Sequence, residues 1–209
     1  MNVTNSELRR RARETLGKDI FGQKWLMALA VSFVLSAILG TASSITGGIG
    51  SIILTGPLMF GLYKSFLIAK RTGKETSFDT AFDGFKNFSQ TLLIGLMSAI
   101  FVMLWALLFI IPGIIKSYAY SMAYYIAVDH PEYDWKKCLD ESQKMMKGNK
   151  WQLFCLDLSF IGWIIVGALC LGIGTLWVTP YQYAARTEFY NAIKGNEYST
   201  ENCQADDYI

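Results

Sequence analysis

The chain has 209 residues, of which 52% are hydrophobic and only 17% charged, against roughly 25% charged residues in ordinary soluble domains. No Asp, Glu, Lys or Arg occurs between Trp25 and Ser51, and an uncharged apolar run beyond about 18 residues reads as a membrane span. A soluble enzyme and a secreted disulfide scaffold both fit poorly. Cys138, Cys155, Cys170 and Cys203 have no paired C-x-x-C spacing, and the single histidine, His130, excludes a multi-histidine metal site. A net charge of +2 gives no bulk argument for nucleic-acid binding.

Taken in chain order, Ser6–Lys18 reads as a capped helix, with Thr4 and Glu7 at capping-box spacing. This basic stretch and the apolar run Trp25–Leu39 are read as a cytoplasmic helix and a retained span, not as a cleaved signal peptide. Six apolar segments follow, at about 25–45, 49–70, 91–111, 112–129, 151–171 and 173–194. Each is near the length required by a bilayer core of about 30 Å. They are joined pairwise through Thr46-Gly47-Gly48, Ile111-Pro112-Gly113 and Gly172-Ile173-Gly174, none of which carries a charge. Of the 19 Lys and Arg residues, only Lys64, Lys116 and Arg186 fall inside segments, and the remainder lie on the long-loop side. By the positive-inside rule this predicts six spans with both termini in the cytoplasm of a cell-membrane protein.

A weak repeat overlies this pattern. Gly22-Gln23-Lys24-Trp25, Phe85-Lys86-Asn87-Phe88 and Gly148-Asn149-Lys150-Trp151 each open a hairpin. Before the second and third stand residues at helical spacing: Phe78, Phe82, Phe85 and Phe88, then Trp135, Leu139, Ser142 and Met146. Pro57, Pro112 and Pro180 recur in or at the start of each second helix, where a first-turn proline costs nothing. The expectation is an all-α polytopic protein of three helical hairpins, with amphipathic helices lying in the cytoplasmic interface. Residues 1–194 form one membrane domain with units at about 6–70, 76–129 and 134–194, and 195–209 form a polar, disordered cytoplasmic tail.

Three long strings are distinctive: LWALLFIIPGIIKSYAYSMAYY from Leu104 to Tyr125, MMKGNKWQLFCLDLSFIGW from Met145 to Trp163, and LGIGTLWVTPY from Leu171 to Tyr181. With Gly56-Pro57 and Phe189-Tyr190, they resemble the bacterial integral-membrane family catalogued as domain of unknown function 975. The resemblance runs from about residue 8 to residue 193 and implies a multi-pass membrane protein. It implies no activity, cofactor or site residue.

Ionisable residues inside spans are costly and mark the best candidates for a site. An intramembrane polar group of Lys116, Tyr118, Ser121, Asp157, Arg186 and Glu188 is expected. Asp157 and Glu188 stand at similar depth, and Arg186, about 3 Å deeper along the axis, is within reach of Asp157. Such a pair would fix helix register or line a polar cavity, unless these groups sit in the headgroup region. Tyr118, Ser121 and Tyr125 share a helix face. Lys64 is expected to snorkel to the interface, and Lys116 to lie near the outer face. His130, just before Pro131, is read as an exposed turn residue. Gly162, Gly167, Gly172 and Gly174 are expected to allow close packing. Arg9, Arg10, Arg11 and Arg13 form a membrane-surface patch suited to anionic headgroups. The expected partner is the lipid bilayer, with no nucleic acid and with a protein partner or homo-oligomer left open. H-E-x-x-H, G-x-S-x-G and Walker signatures are lacking, so a non-enzyme without a cofactor is expected. Two functional readings remain: transporter-like or lipid- and peptide-handling, or a non-transporting membrane scaffold or stress or immunity accessory protein.

Overall fold

A computed structural model describes residues 4–17, 22–46, 49–73, 75–169 and 173–206, and all regular structure among them is helical. The first helix, α1 (Asn5–Leu16), is capped by Thr4, whose hydroxyl accepts the Glu7 N–H at 3.4 Å. It ends at Gly17, whose φ of 97° is readily adopted only by glycine. Leu8, Ala12 and Leu16 recur every four residues and are fully or almost fully buried, with α1 packed chiefly against the last helix of the chain.

Two 24-residue helices follow, α2 (Gln23–Thr46) and α3 (Ile49–Thr72), packed on each other. A short helix, α4 (Phe78–Ala81), and a 3-10 turn at Asp83–Phe85 lead into α5 (Phe88–Leu108). Gln23–Ser44, Gly50–Thr72 and Phe88–Leu108 are each long and apolar enough to cross a membrane. At about 1.5 Å per residue, 21 residues span roughly 31 Å. The tip after α5 is strongly apolar and open, with Leu107 84%, Ile110 75% and Met103 73% exposed. A patch of this kind is a liability in water and ordinary in lipid.

The segment expected at 112–129 is not one helix. Phe109 alone, in extended conformation (φ −154°, ψ 136°), turns the chain into α6 (Ile110–Tyr120). The joint therefore precedes Ile111-Pro112-Gly113. Ser121 and Met122 then interrupt the helix before α7 (Ala123–Asp129). The cause is Ser142 on α8 (Trp135–Met145): its hydroxyl donates to the Ala119 carbonyl at 2.7 Å and accepts the Met122 N–H at 3.2 Å. A buried side chain thus satisfies backbone groups that the interruption frees.

Pro112 occupies the first turn of α6, and Pro57 and Pro180 lie inside their helices, as expected. The chain closes with α9 (Lys150–Leu169) packed on α10 (Ile173–Asp206). The last helix, α10, runs to Asp206. Gly47, Gly48, Cys170 and Gly172 lie outside the described residues.

The amphipathic segments fold back onto protein. Cys138, Leu139, Ser142 and Met145 of α8 are buried where it packs on α5, α6 and α7, and α4 packs on α3. A lipid-facing apolar surface is therefore incorrect for α1 and α8, because neighbouring helices cover it. Only the middle segment keeps aromatic rings outward: Phe82, Phe85 and Phe88 are partly exposed and stack in series, while Phe78 packs on the core.

Close backbone approaches occur at glycines other than those expected. A methyl at Gly61 would overlap the Ala81 backbone, and one at Gly84 the Pro57 backbone, whereas Gly162 faces open space. Gly61→Ala should therefore destabilise the detergent-solubilised protein by about 1–3 kcal/mol, whereas Gly162→Ala, at an open helix position, should raise the midpoint of the same thermal melt slightly. Burial and then Asp134 push the Cys138 thiol up to about 11. A maleimide should label Cys138 only after denaturation, and labelling of folded protein at neutral pH would contradict the packing of α8.

Candidate functional site: paired charges in apolar segments

Each cation within an apolar segment meets a partner from another element. Arg186 on α10 holds Asp157 on α9 in a two-pronged pair, Nη2 to Oδ2 at 2.7 Å and Nε to Oδ1 at 3.2 Å. Side-chain exposure falls to 12% for Asp157 and 27% for Arg186. Such bidentate geometry is the strong form of the carboxylate–guanidinium contact. Gln182 donates to Asp157 at 3.3 Å, and Tyr118 from α6 lies against the same carboxylate.

Glu188 does not join this group. It is nearly fully buried on another side of α10, accepting from Thr15 on α1 at 2.7 Å and pairing with Lys70 on α3 at 2.5 Å. Ser121 is also separate, since its hydroxyl donates to the Tyr118 carbonyl at 2.7 Å and so closes its own turn. Lys116 donates to Gln143 of α8 at 3.0 Å and stands over the rings of Trp105 and Tyr120, at 5.4 Å and 5.9 Å from their centroids. Lys64 pairs with Asp83, which α4 and its turn bring to 2.7 Å from its ammonium. Hydrogen bonds from Lys64 and from Lys86 hold the Asp83 carboxyl below its ordinary range.

A second centre, missed from sequence, gathers at Asp129, whose side chain is 3% exposed. Arg71 grips both its oxygens at 2.6 Å and 2.8 Å, Lys194 approaches to 2.6 Å, and the Tyr190 hydroxyl donates at 2.8 Å. The adjacent pair Lys70-Arg71 was legible only as a topology signal. The buried acid that uses it looks in sequence like an ordinary span end beside His130-Pro131. His130 itself stacks on Tyr133 at 4.5 Å and approaches Glu132 at 3.1 Å.

Between the two centres lies an aromatic cluster. Tyr63 contacts Tyr125, Tyr124 and Tyr183 with ring centroids at 4.7, 5.7 and 5.8 Å, and the Tyr125 hydroxyl meets Thr187 at 3.2 Å.

On α1, Glu7 bonds to both Arg10 (2.6 Å) and Arg11 (3.0 Å), which hold its carboxyl at about 2. Arg10 also reaches Glu14 at 3.1 Å. Arg9 and Arg13 make no ion pair among the described residues. No group of three or more His, Cys, Asp or Glu able to hold a metal occurs among the described residues either.

The family described as protein of unknown function, DUF975, matches residues 1–117 and again 107–197. The chain belongs to that family. The second match carries Lys116, Asp129, Asp157, Arg186 and Glu188, and the first carries the arginines of α1. Neither the curated proteins nor the solved structures give a match. The family description assigns no activity, so geometry alone bears on what this DUF975 member does.

Breaking a buried pair strands one charge, at about 3–5 kcal/mol. Asp157→Asn and Arg186→Gln should each lower the midpoint of thermal unfolding in detergent, and the double variant should recover much of the loss. Additive losses in this cycle would show that the pair does not hold α9 to α10.

Proposed function

We propose that this family member is a polytopic protein of the bacterial cell membrane, with six spans in three hairpins and both termini cytoplasmic, acting as a non-transporting scaffold. The fourth span is the interrupted pair α6–α7, and α1, α4 and α8 are cytoplasmic-side elements tucked against the hairpins. In each of the three units a polar helix precedes a hairpin, consistent with a threefold repeat. The observation that carries the scaffold reading is the saturation of the bundle centre. Arg186, Lys64 and Lys116 are each engaged by a named partner, and tyrosine rings pack around Tyr63. A solute path uses polar groups that a cargo can reach and replace; here protein groups already occupy them. The transporter-like reading has no such support from the geometry. The expectation of a non-enzyme without a cofactor stands as part of this proposal, with the lipid bilayer as the first partner.

In a cysteine-free background, a membrane-impermeant maleimide should label Ser6→Cys and Glu132→Cys only from the cytoplasmic side, and Ile111→Cys only from outside. Labelling of Ile111→Cys from the cytoplasmic side would overturn the six-span arrangement. Proteoliposomes containing the protein should hold amino-acid, sugar and ion gradients as well as empty vesicles, and specific leakage would overturn the scaffold reading.

A further inference from the structure

The unpaired arginines of α1 stand over an aromatic groove. A cleft of about 710 Å³ opens between α1, α2, α9 and α10, with Arg9 and Arg13 along one rim and Trp25, Trp163, Trp177 and Tyr181 among its walls. Tyr181 fixes the rim: it accepts from Arg13 Nε at 3.2 Å and donates to the Arg9 carbonyl at 3.1 Å. The Arg13 guanidinium also lies 5.8 Å from the Tyr181 ring centroid, and Trp25 and Phe160 pack on that ring at 6.1 Å and 5.0 Å. Arg10 and Glu14 also reach the cleft but are bonded to each other. The groove thus has a cationic rim beside a wall rich in indole and aliphatic surface, with Val178 on the same helix as Trp177.

We propose that this groove binds one anionic glycerophospholipid, its phosphate held by Arg9 and Arg13 and an acyl chain lying along Trp163, Trp177 and Val178. Charge complementarity selects the occupant. Guanidinium groups recognise phosphate in a planar, two-pronged manner, and an acyl chain gains from leaving water against aromatic surface. A zwitterionic lipid offers the same chain with a headgroup ammonium that the arginines repel. An acidic peptide would satisfy the arginines but leave the tryptophan wall uncovered. The site rests on α1 facing the inner leaflet only for its physiological setting, because the groove is complete within the chain.

The test uses the full chain in non-ionic detergent, so it is independent of membrane sidedness. Trp25, Trp163 and Trp177, three of the six tryptophans, report on the groove. Phosphatidylglycerol with brominated acyl chains should quench tryptophan fluorescence saturably, and brominated phosphatidylcholine only weakly and without saturation. Arg9→Ala/Arg13→Ala should weaken the saturable phase about tenfold or more, two surface cations each contributing substantially to anionic-lipid attraction. Lys136→Ala/Lys137→Ala removes equal charge from α8 and should leave it unchanged. Val178→Phe should abolish it with both arginines intact, which guards against unfolding of the arginine variant. Equal saturation by the two lipids, equal weakening by the lysine variant, or wild-type binding by Val178→Phe would each overturn the proposal. Competition by glycerol phosphate as strong as that by the lipid would also overturn it, assigning the rim to a free phosphoester.

Discussion

Three cations on α3 organise the bundle, because each is met by a carboxylate from a different element. Lys64 takes Asp83 from the turn before α5, Lys70 takes Glu188 from α10, and Arg71 takes Asp129 from α7. Lys64 and Arg71 are two helical turns apart on one face, and Lys70 is about 100° around from Arg71. A single helix can therefore reach α7 and α10 at once. The carboxylates are 17%, 3% and 3% exposed, so an unpartnered state would leave a charge without water. Such pairs add little net stability over a well-packed apolar contact. Their effect is to make wrong registers costly, since sliding α3 by one turn would strand several charges together.

The tyrosines near α3 answer the same constraint differently. A ring supplies apolar bulk while its hydroxyl needs only one partner, which suits a layer between buried ions and lipid-facing aliphatics. Tyr125 illustrates both uses, stacked on Tyr190 at 4.9 Å with its hydroxyl meeting Thr187 at 3.2 Å. Tyr190 in turn donates to Asp129, so the aromatic layer continues directly into the ionic centre. Replacing these rings with phenylalanine would nearly keep the volume and lose the hydroxyl link.

What the sequence displayed well were properties carried by single helices. The long apolar runs, the Thr4 cap and the all-α class follow from local pattern and composition. The reach of Arg186 to Asp157 follows from counting helical rise, although the same count put Glu188 level with Asp157 and packing took it elsewhere. What it hid were properties created by packing. Ser142 looks like a small polar residue on an amphipathic helix, yet it bridges the interruption at Met122, which no periodicity in 112–129 announces. Gly61 and Gly84 carry the tight crossings because α4 and its turn return onto α3, whereas Gly162, in a helix equally rich in small residues, touches nothing. The partner of Lys64, Asp83, lies nineteen residues away, and only the return of the turn onto α3 brings the two together. Amphipathicity likewise fixes which face of α1 and α8 is apolar but not whether lipid or protein covers it.

The order of packing adds a final constraint. The second polar segment rests on the helix just before it, α4 on α3, and so does the third, α8 on α7; both contacts are local in sequence and cost little loop-closure entropy. The first rests on the last helix of the chain, with contacts between residues as far as 173 positions apart. That α1–α10 seam must form late, after the hairpins exist to receive it. The arginine-rimmed groove lies on this seam, between the element that closes the bundle and those it closes against. A ligand held there would bind the closed arrangement and not the open one, stabilising it by mass action. On the proposed lipid site, this long-range contact is therefore the one that a bound anionic lipid would strengthen.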